Sequence, residues 1–119
     1  MDLQSMGSRL KPLFIFFIAL NSYGVSYVPG TEDIPLMVGM TIESAPILFD
    51  KNQGEVLITK ASTSFLPKDV RSFYKKTLKN LGWVYVSENK FKREMQALDI
   101  EIGKRSGKTS VSFELKETL

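Results

Sequence analysis

The stretch PKDVRSFYKKTLKNLGW at residues 67–83 decides how this chain can fold. Six of its side chains recur at intervals of three and four, so they lie on one side of a helix predicted from about Pro67 to Leu81. Those side chains are Val70, Phe73, Tyr74, Thr77, Leu78 and Leu81. Proline suits the first helical position, and Gly82 can adopt the left-handed conformation that ends a helix. The stretch therefore predicts one amphipathic helix that must bury one side.

The residues that follow this helix predict strands with one buried face. Leu98, Ile100 and Ile102 alternate with acidic residues, and alternation resumes between Thr109 and Lys116 after a polar turn. A period of two directs one side of a strand into the core and the other into water. Such strands are typical of an antiparallel sheet that is open to water on one face.

Further runs rich in β-branched or aromatic residues predict strands on both sides of the helix. They are Ile47–Phe49 and Val56–Ala61 before it, and Trp83–Val86 and Phe91–Met95 after it. Together the patterns predict an α+β fold in the order β-β-α-β-β-β. We expect the helix to pack on the apolar face of this antiparallel sheet.

The N-terminus has the pattern of a secretory signal peptide. Arg9 and Lys11 supply positive charge ahead of an unbroken apolar run from Leu13 to Leu20. A bilayer-spanning helix needs roughly 20 apolar residues, so this run is too short to cross. We therefore predict that residues 1–26 address the chain for export. An uncleaved membrane anchor and a buried core helix stay as alternatives.

Two cleavage points fit the signal peptide pattern. Small residues stand one and three positions before a cut after Gly24 and before a cut after Ser26. Met6 can also be the true start in place of Met1, because the charges and the apolar run lie beyond it. The predicted product is periplasmic or secreted and has no stable transmembrane segment after processing.

The residue types that the chain lacks exclude many functional chemistries. It has neither cysteine nor histidine. The usual zinc ligands, Ser/His and Cys/His nucleophile pairs and histidine-ligated haem are therefore excluded. Lipid attachment at cysteine and disulfide bonds are excluded as well. We predict that the protein is not an enzyme and that it needs no cofactor or metal.

Length and charge predict one small domain that does not bind nucleic acid. The signal segment holds two of the 16 basic and one of the 13 acidic residues, which leaves a net charge of +2 on 93 residues. Nucleic-acid binding needs a concentrated basic surface instead. A chain of this length fits one core. We predict an extended arm at residues 27–46 and a helix-on-sheet domain at residues 47–119.

The arm is a candidate contact segment. Its prolines and glycines forbid a long helix, yet it carries apolar side chains that include Leu36, Met37 and Met40. Apolar surface left in water is costly, so we expect the arm to cover its own domain. The alternative is that it docks on a partner, which these three residues would then contact.

A basic stripe on the predicted helix is a second candidate contact surface. Helical spacing places Lys68, Arg71, Lys75 and Lys79 opposite the apolar side. An ordinary amphipathic helix also carries charges on its wet side, so a solvated surface is the simpler interpretation. The functional alternative is contact with lipid headgroups, an anionic envelope polymer or an acidic partner.

Three other groups of side chains are candidate sites. The first group is aromatic and consists of Phe73, Tyr74, Trp83 and Tyr85. These side chains either pack in the core or line a ligand pocket. The carboxylates that share the wet face of the predicted sheet are Asp99, Glu101 and Glu114. A Ser/Lys pair would use Lys108 with Ser106 or Ser110, on a turn that offers the lysine no buried setting.

The helix and the segments before it contain a recognisable sequence pattern. The chain reads V-x-x-F-Y-x-x-x-L-x-x-L-G-W from Val70 to Trp83, preceded by Asp33–Met37 and by Phe49 and Asp50. In this it resembles a group of small exported proteins of Gram-negative bacteria whose function is uncharacterised. The resemblance implies a periplasmic domain without known catalytic residues, and the missing cysteine sets the chain apart from similar envelope lipoprotein modules.

These observations lead to a ranked set of hypotheses. The first is a non-enzymatic periplasmic binding or accessory module that contacts an envelope protein or an anionic envelope component. A lipid-associating or cell-wall-associating protein that uses the basic stripe is the second. The third is a small enzyme that depends on carboxylates.

Overall fold

The computed structural model describes residues 26–51 and 54–118, whose backbone forms one α-helix and nine β-strands. The elements in chain order are β1 (Ser26–Tyr27), β2 (Pro35–Leu36), β3 (Thr41–Ile42), β4 (Ile47–Lys51), β5 (Gly54–Thr63), α1 (Pro67–Asn80), β6 (Val84–Ser87), β7 (Lys90–Arg93), β8 (Gln96–Arg105) and β9 (Lys108–Thr118). The predicted signal peptide lies outside the described residues except for Ser26. None of the helical residues described forms a segment long and apolar enough to cross a membrane.

Helix α1 confirms the prediction made from residues 67–83. Pro67 occupies its first turn, and Gly82 follows its end with a φ of 92°. The N–H groups of Gly82 and Trp83 donate to carbonyls of the last helical turn, which closes the helix and turns the chain back toward the sheet. The helix ends at Asn80, so Leu81 is not part of the buried side and is 38% exposed.

The sheet is antiparallel throughout, as predicted. Its strands lie in the order β3/β4, β5, β9, β8, β7, β6, and both β3 and β4 pair with the same edge of β5. Strands β1 and β2 pair separately with each other. Long strands β5, β8 and β9 form the centre, and apolar and polar positions alternate in β8 and β9 as the sequence predicts.

The strand count differs from the predicted order. Four strands follow the helix instead of three, because a turn at Glu94 and Met95 separates β7 from β8. Glu94 has a φ of 53°, although neither residue of that turn is the glycine, proline or asparagine that signals a turn in a sequence. The arm adds three two-residue strands, β1, β2 and β3.

The core lies between α1 and one face of the sheet, here named the helix-side face. Its fully buried side chains come from the helix, from alternate positions of the sheet strands and from the arm. They include Val70, Tyr74, Leu78, Leu98, Ile100, Val111 and Phe113. The helix-side face thus consists of the odd-numbered positions of β9 and their cross-strand partners.

The arm is part of this core. Val28 and Ile34 are fully buried, and the Val28 N–H donates to the Ile34 carbonyl at 2.8 Å. The Thr59 hydroxyl, on the helix-side face of β5, donates to the Pro29 carbonyl at 3.0 Å. The arm therefore covers the same face of the sheet as α1 does.

Tyr74 joins the helix, the sheet and the arm. Its ring packs edge-on against Phe113 of the central strand, with ring centroids 5.3 Å apart. Its hydroxyl donates to the Pro35 carbonyl at 2.8 Å and accepts the Met37 N–H at 3.1 Å. Burial raises the pKa of this hydroxyl, so it stays protonated.

A second link between arm and sheet is the ion pair of Asp33 and Arg93. The two terminal guanidinium nitrogens, Nη1 and Nη2, donate to the carboxylate at 2.8 and 3.0 Å, in the bidentate geometry that suits arginine. The guanidinium also lies over the Trp83 ring, 4.4 Å from its centroid, and donates to the Leu81 carbonyl. The hydrogen bonds from Arg93 hold the pKa of Asp33 below its usual value.

We expect Tyr74→Phe to lower the free energy of unfolding by about 1–3 kcal/mol, because it leaves the Pro35 carbonyl and the Met37 N–H without this partner. Urea unfolding followed by circular dichroism measures the loss. Tyr85→Phe is the matched control, since the Tyr85 side chain is exposed and its change should stay within about 0.5 kcal/mol. Equal losses in the two variants would contradict the assigned role of Tyr74.

We expect the Asp33–Arg93 pair to make stability depend on pH in the acid range. The pKa of Asp33 is lowered on folding, so its contribution is present above the unfolded pKa of about 3.9 and is lost as pH falls through the folded pKa. The stability difference between wild type and Asp33→Asn should therefore shrink as pH drops below about 4. Unfolding midpoints measured between pH 7 and 2 test this, and a constant difference would contradict it.

Candidate functional site

The second face of the sheet is not covered by any element that the structure describes. Both α1 and the arm lie on the helix-side face, so the even-numbered positions of β9 and their cross-strand partners point away from the core. This surface is named the uncovered face. It contains a hollow of about 320 Å³ over the central strands β5, β9 and β8.

Small side chains form a row across the sheet, and two of them, Ser110 and Gly103, line this hollow. Thr41, Ser62, Ser110 and Gly103 follow one another across four neighbouring strands, and the row contains no side chain larger than threonine. A Cβ atom placed on Gly103 would meet only the Ser110 hydroxyl, at 4.0 Å. The hollow is thus open space that a ligand group can occupy without moving the backbone.

Charged side chains of both signs surround the hollow. Glu43 and Lys60 line it on one side, where the Glu43 N–H donates to the Lys60 carbonyl at 2.9 Å, and Glu101 and Arg105 line it on the other. None of these four side chains forms an ion pair with another described residue. With the hydroxyl of Ser112, they offer two cations, two anions and hydrogen-bonding groups to a ligand.

The structure places the three sequence-predicted carboxylates on this uncovered face. Glu114 lies opposite Asp99 in the pairing of β9 with β8, and Glu101 borders the hollow. Asp99 accepts a hydrogen bond from Lys90 at 3.1 Å and lies 3.8 Å from the Lys116 ammonium. Within residues 26–51 and 54–118, no three acidic side chains are grouped so that they could hold a metal ion.

The basic stripe is exposed along α1, and two of its four members have partners nearby. Lys68, Arg71, Lys75 and Lys79 all lie on the water-facing side of the helix. The Arg71 guanidinium lies 3.6 Å from the Glu88 carboxylate, and the Lys75 ammonium lies over the Tyr85 ring at 4.5 Å. Exposed pairs of this kind stabilise a protein by about 1 kcal/mol or less, so the stripe stays available to an anion.

The arm residues suggested as partner contacts are packed inward. Leu36, Met37 and Met40 are partly buried against the core, and the Met37 N–H is bonded to Tyr74. Val38, between them, is instead 88% exposed. The arm therefore presents a different side chain to the outside from those that the sequence pattern indicated.

The aromatic residues near the helix end are divided between core and surface. Tyr74 and Trp83 are buried, whereas Tyr85 is exposed beside a hollow of about 250 Å³ that Arg71 and Phe91 also line. The Trp83 indole N–H has no hydrogen-bond partner among the described residues and lies beneath the Arg93 guanidinium.

The proposed Ser/Lys pair is not brought into a buried setting. Ser106 and Lys108 are exposed at the turn between β8 and β9, and Ser110 lies in the hollow.

Sequence reasoning missed the hollow itself. Gly103, Ser110 and Ser112 were visible as small residues at wet positions of predicted strands, and a glycine inside a strand often marks close approach by another group. Only the pairing register places them side by side, next to Ser62 and Thr41. Among known proteins, no family model, curated protein or solved structure matches this chain.

Proposed function

We propose that this chain is exported and acts as a non-enzymatic binding module of the bacterial cell envelope, with the hollow of its uncovered face as the binding site. One observation carries this proposal: the face that neither α1 nor the arm covers holds a hollow bordered by charged side chains that form no ion pair with another described residue. The signal peptide pattern and the resemblance to small exported proteins of Gram-negative bacteria support the location.

The chemistry of the hollow favours a zwitterionic ligand that also carries hydroxyl groups. Lys60 and Arg105 suit a carboxylate, Glu43 and Glu101 suit an ammonium group, and Ser110 and Ser112 are both donors and acceptors. A volume of about 320 Å³ lies at the small end of ligand sites, which hold about 300–1,000 Å³. The peptide-bearing sugars of a bacterial cell wall combine these groups.

The competing proposal is an association with an anionic envelope component, such as a lipid surface, through the basic stripe. Lys68 and Lys79 favour it, because both are exposed and neither forms an ion pair with another described residue. Binding of this type weakens steeply with salt, since exposed charges are screened over about 10 Å at 0.1 M ionic strength. The two proposals use opposite sides of the molecule, so they can be separated by mutation.

We expect the full chain, expressed in a Gram-negative host, to reach the periplasm with Val25 as its first residue, which moves the end of the proposed signal peptide from Ser26 to Gly24. A cut after Ser26 would remove one of the two residue pairs that form β1 and β2, whereas a cut after Gly24 keeps both. Fractionation and N-terminal sequencing measure the outcome. A variant with Ile15→Asp and Ile18→Arg interrupts the apolar run and should stay in the cytoplasm. Recovery of the uncut wild-type chain from the cytoplasm would contradict export.

We expect Gly103→Leu to abolish most binding of the protein to purified cell-wall sacculi, because the new side chain projects into the hollow from a position whose Cβ meets only the Ser110 hydroxyl. Co-sedimentation with the sacculi measures the bound fraction. Lys60→Ala and Glu101→Ala should each weaken binding about tenfold, as expected for loss of a hydrogen bond to a charged group.

Ala97→Leu is the matched control for this experiment. It adds the same side chain to the same strand and the same face, at a position outside the hollow. Sacculi that bind both leucine variants equally well would exclude the hollow as the site. Binding only to anionic vesicles, lost in Lys68→Glu and Lys79→Glu, would favour the basic stripe instead.

A further inference from the structure

Strand β4 has a free edge among the described residues. It pairs with β5 along one side, from Ile47 opposite Ile58 to Lys51 opposite Gly54, and no described strand pairs with its other side. The outward N–H and C=O groups of such an edge can pair with the backbone of another chain. Proteins usually protect an exposed edge with charges, prolines or bulges.

The charged residues of β4 are confined to its C-terminal end, at Asp50 and Lys51, and the first three residues of the strand are apolar. Ile47, Leu48 and Phe49 follow one another and are 48%, 59% and 44% exposed, so apolar surface is open on both faces of the strand. Leaving these side chains in water is unfavourable in proportion to their exposed apolar area. The edge and its exposed side chains together favour strand addition by a partner.

A hollow of about 370 Å³ lies beside this edge on the helix-side face. Leu48, Leu57 and Leu115 stand next to one another on three neighbouring strands and line it, with Pro46 and Gly30 at its border. The described helix and arm leave this corner of the helix-side face open. An apolar side chain from an added strand would enter it opposite Leu48.

Next to this hollow, three acidic residues form a row. Asp50 lies opposite Glu55, and Glu55 lies opposite Glu117, so the carboxylates belong to adjacent strands that lie about 4.8 Å apart. All three point to the helix-side face. Like charges directly opposite one another destabilise a sheet, and a basic side chain in the next strand would relieve this repulsion.

From these features we propose that β4 binds an extended segment of another protein as an added antiparallel strand. The segment carries a lysine or arginine opposite Asp50 and an apolar residue opposite Leu48, two positions later in its own chain. The positions opposite Phe49 and Ile47 are apolar as well. This site shares no residue with the hollow of the uncovered face and stands independently of the proposed function.

A second copy of the chain fits this edge less well. When two β4 strands pair antiparallel with their faces in line, Asp50 meets an even-numbered residue of the other copy. The even-numbered positions from 44 to 50 are serine, proline, leucine and aspartate, none of which is basic. Charge complementarity therefore favours a basic partner.

The opposite edge of the sheet provides an internal control. Strand β6 also exposes three apolar residues in succession, Val84, Tyr85 and Val86. Its neighbours are basic, because Lys92 lies opposite Val84 and the Lys75 ammonium lies over the Tyr85 ring. A basic segment should bind at β4 and not at β6.

The test uses two short peptides, STKVLVTS and STEVLVTS, which differ only in the residue intended to face Asp50. Each is titrated into the isotope-labelled chain as recovered from expressing cells, and amide chemical shifts report the affinity and the place of binding. We expect the lysine peptide to bind more tightly and to shift β4 amides. Leu48→Lys should weaken binding about tenfold by removing apolar contact, whereas Val84→Lys on β6 should leave it unchanged.

Asp50→Lys separates the charge contribution from the apolar one. It should reverse the preference, so that the glutamate peptide binds about threefold or more tightly than the lysine peptide. Equal affinity of the two peptides, shifts centred on β6, or no binding would each overturn the proposal. Sedimentation of the chain as a dimer that Leu48→Lys dissociates, together with no peptide binding, would overturn it in favour of a second copy.

Discussion

The packing of the arm, the helix and the sheet depends on the hydrogen bonds of the Tyr74 hydroxyl. It projects from the helix through the core, donates to one arm carbonyl and accepts an arm N–H, while its ring packs on Phe113 of the central strand. A buried hydrogen-bond partner left unpaired is costly, so these contacts fix the arm at one position over the sheet. The ion pair of Asp33 with Arg93 holds a second point of the same arm.

The position of the arm determines which surfaces of the sheet the described elements leave uncovered. With the arm and α1 both on the helix-side face, no described element covers the opposite face. The small residues Gly103, Ser110 and Ser112 then line a hollow over the central strands, and the charged side chains beside it stay without ion-pair partners among the described residues. At the corner beyond the arm, β4 keeps both its backbone edge and its apolar side chains exposed.

The candidate surfaces differ in how far the sequence could predict them. Helical spacing placed Lys68 and Lys79 on an exposed stripe, and strand alternation placed Glu101 on the wet face, because both patterns are local. The hollow could not be predicted, since Gly103 and Ser110 become neighbours only through the pairing of β8 with β9. The acidic row depends in the same way on pairing between residues far apart in the chain.

The sequence by itself determined the helix, its two ends and the strands with one wet face, because helix-end signals and hydrophobic periodicity act over a few residues. The turn at Glu94 was hidden from it, since no turn-favouring residue marks that position. Only the tertiary structure decided where the apolar arm lies, with Val28 and Ile34 buried and Leu36 and Met37 turned partly inward. The reason is physical: the position of the arm is set by contacts to Tyr74, Thr59 and Arg93, which no local pattern in the arm encodes.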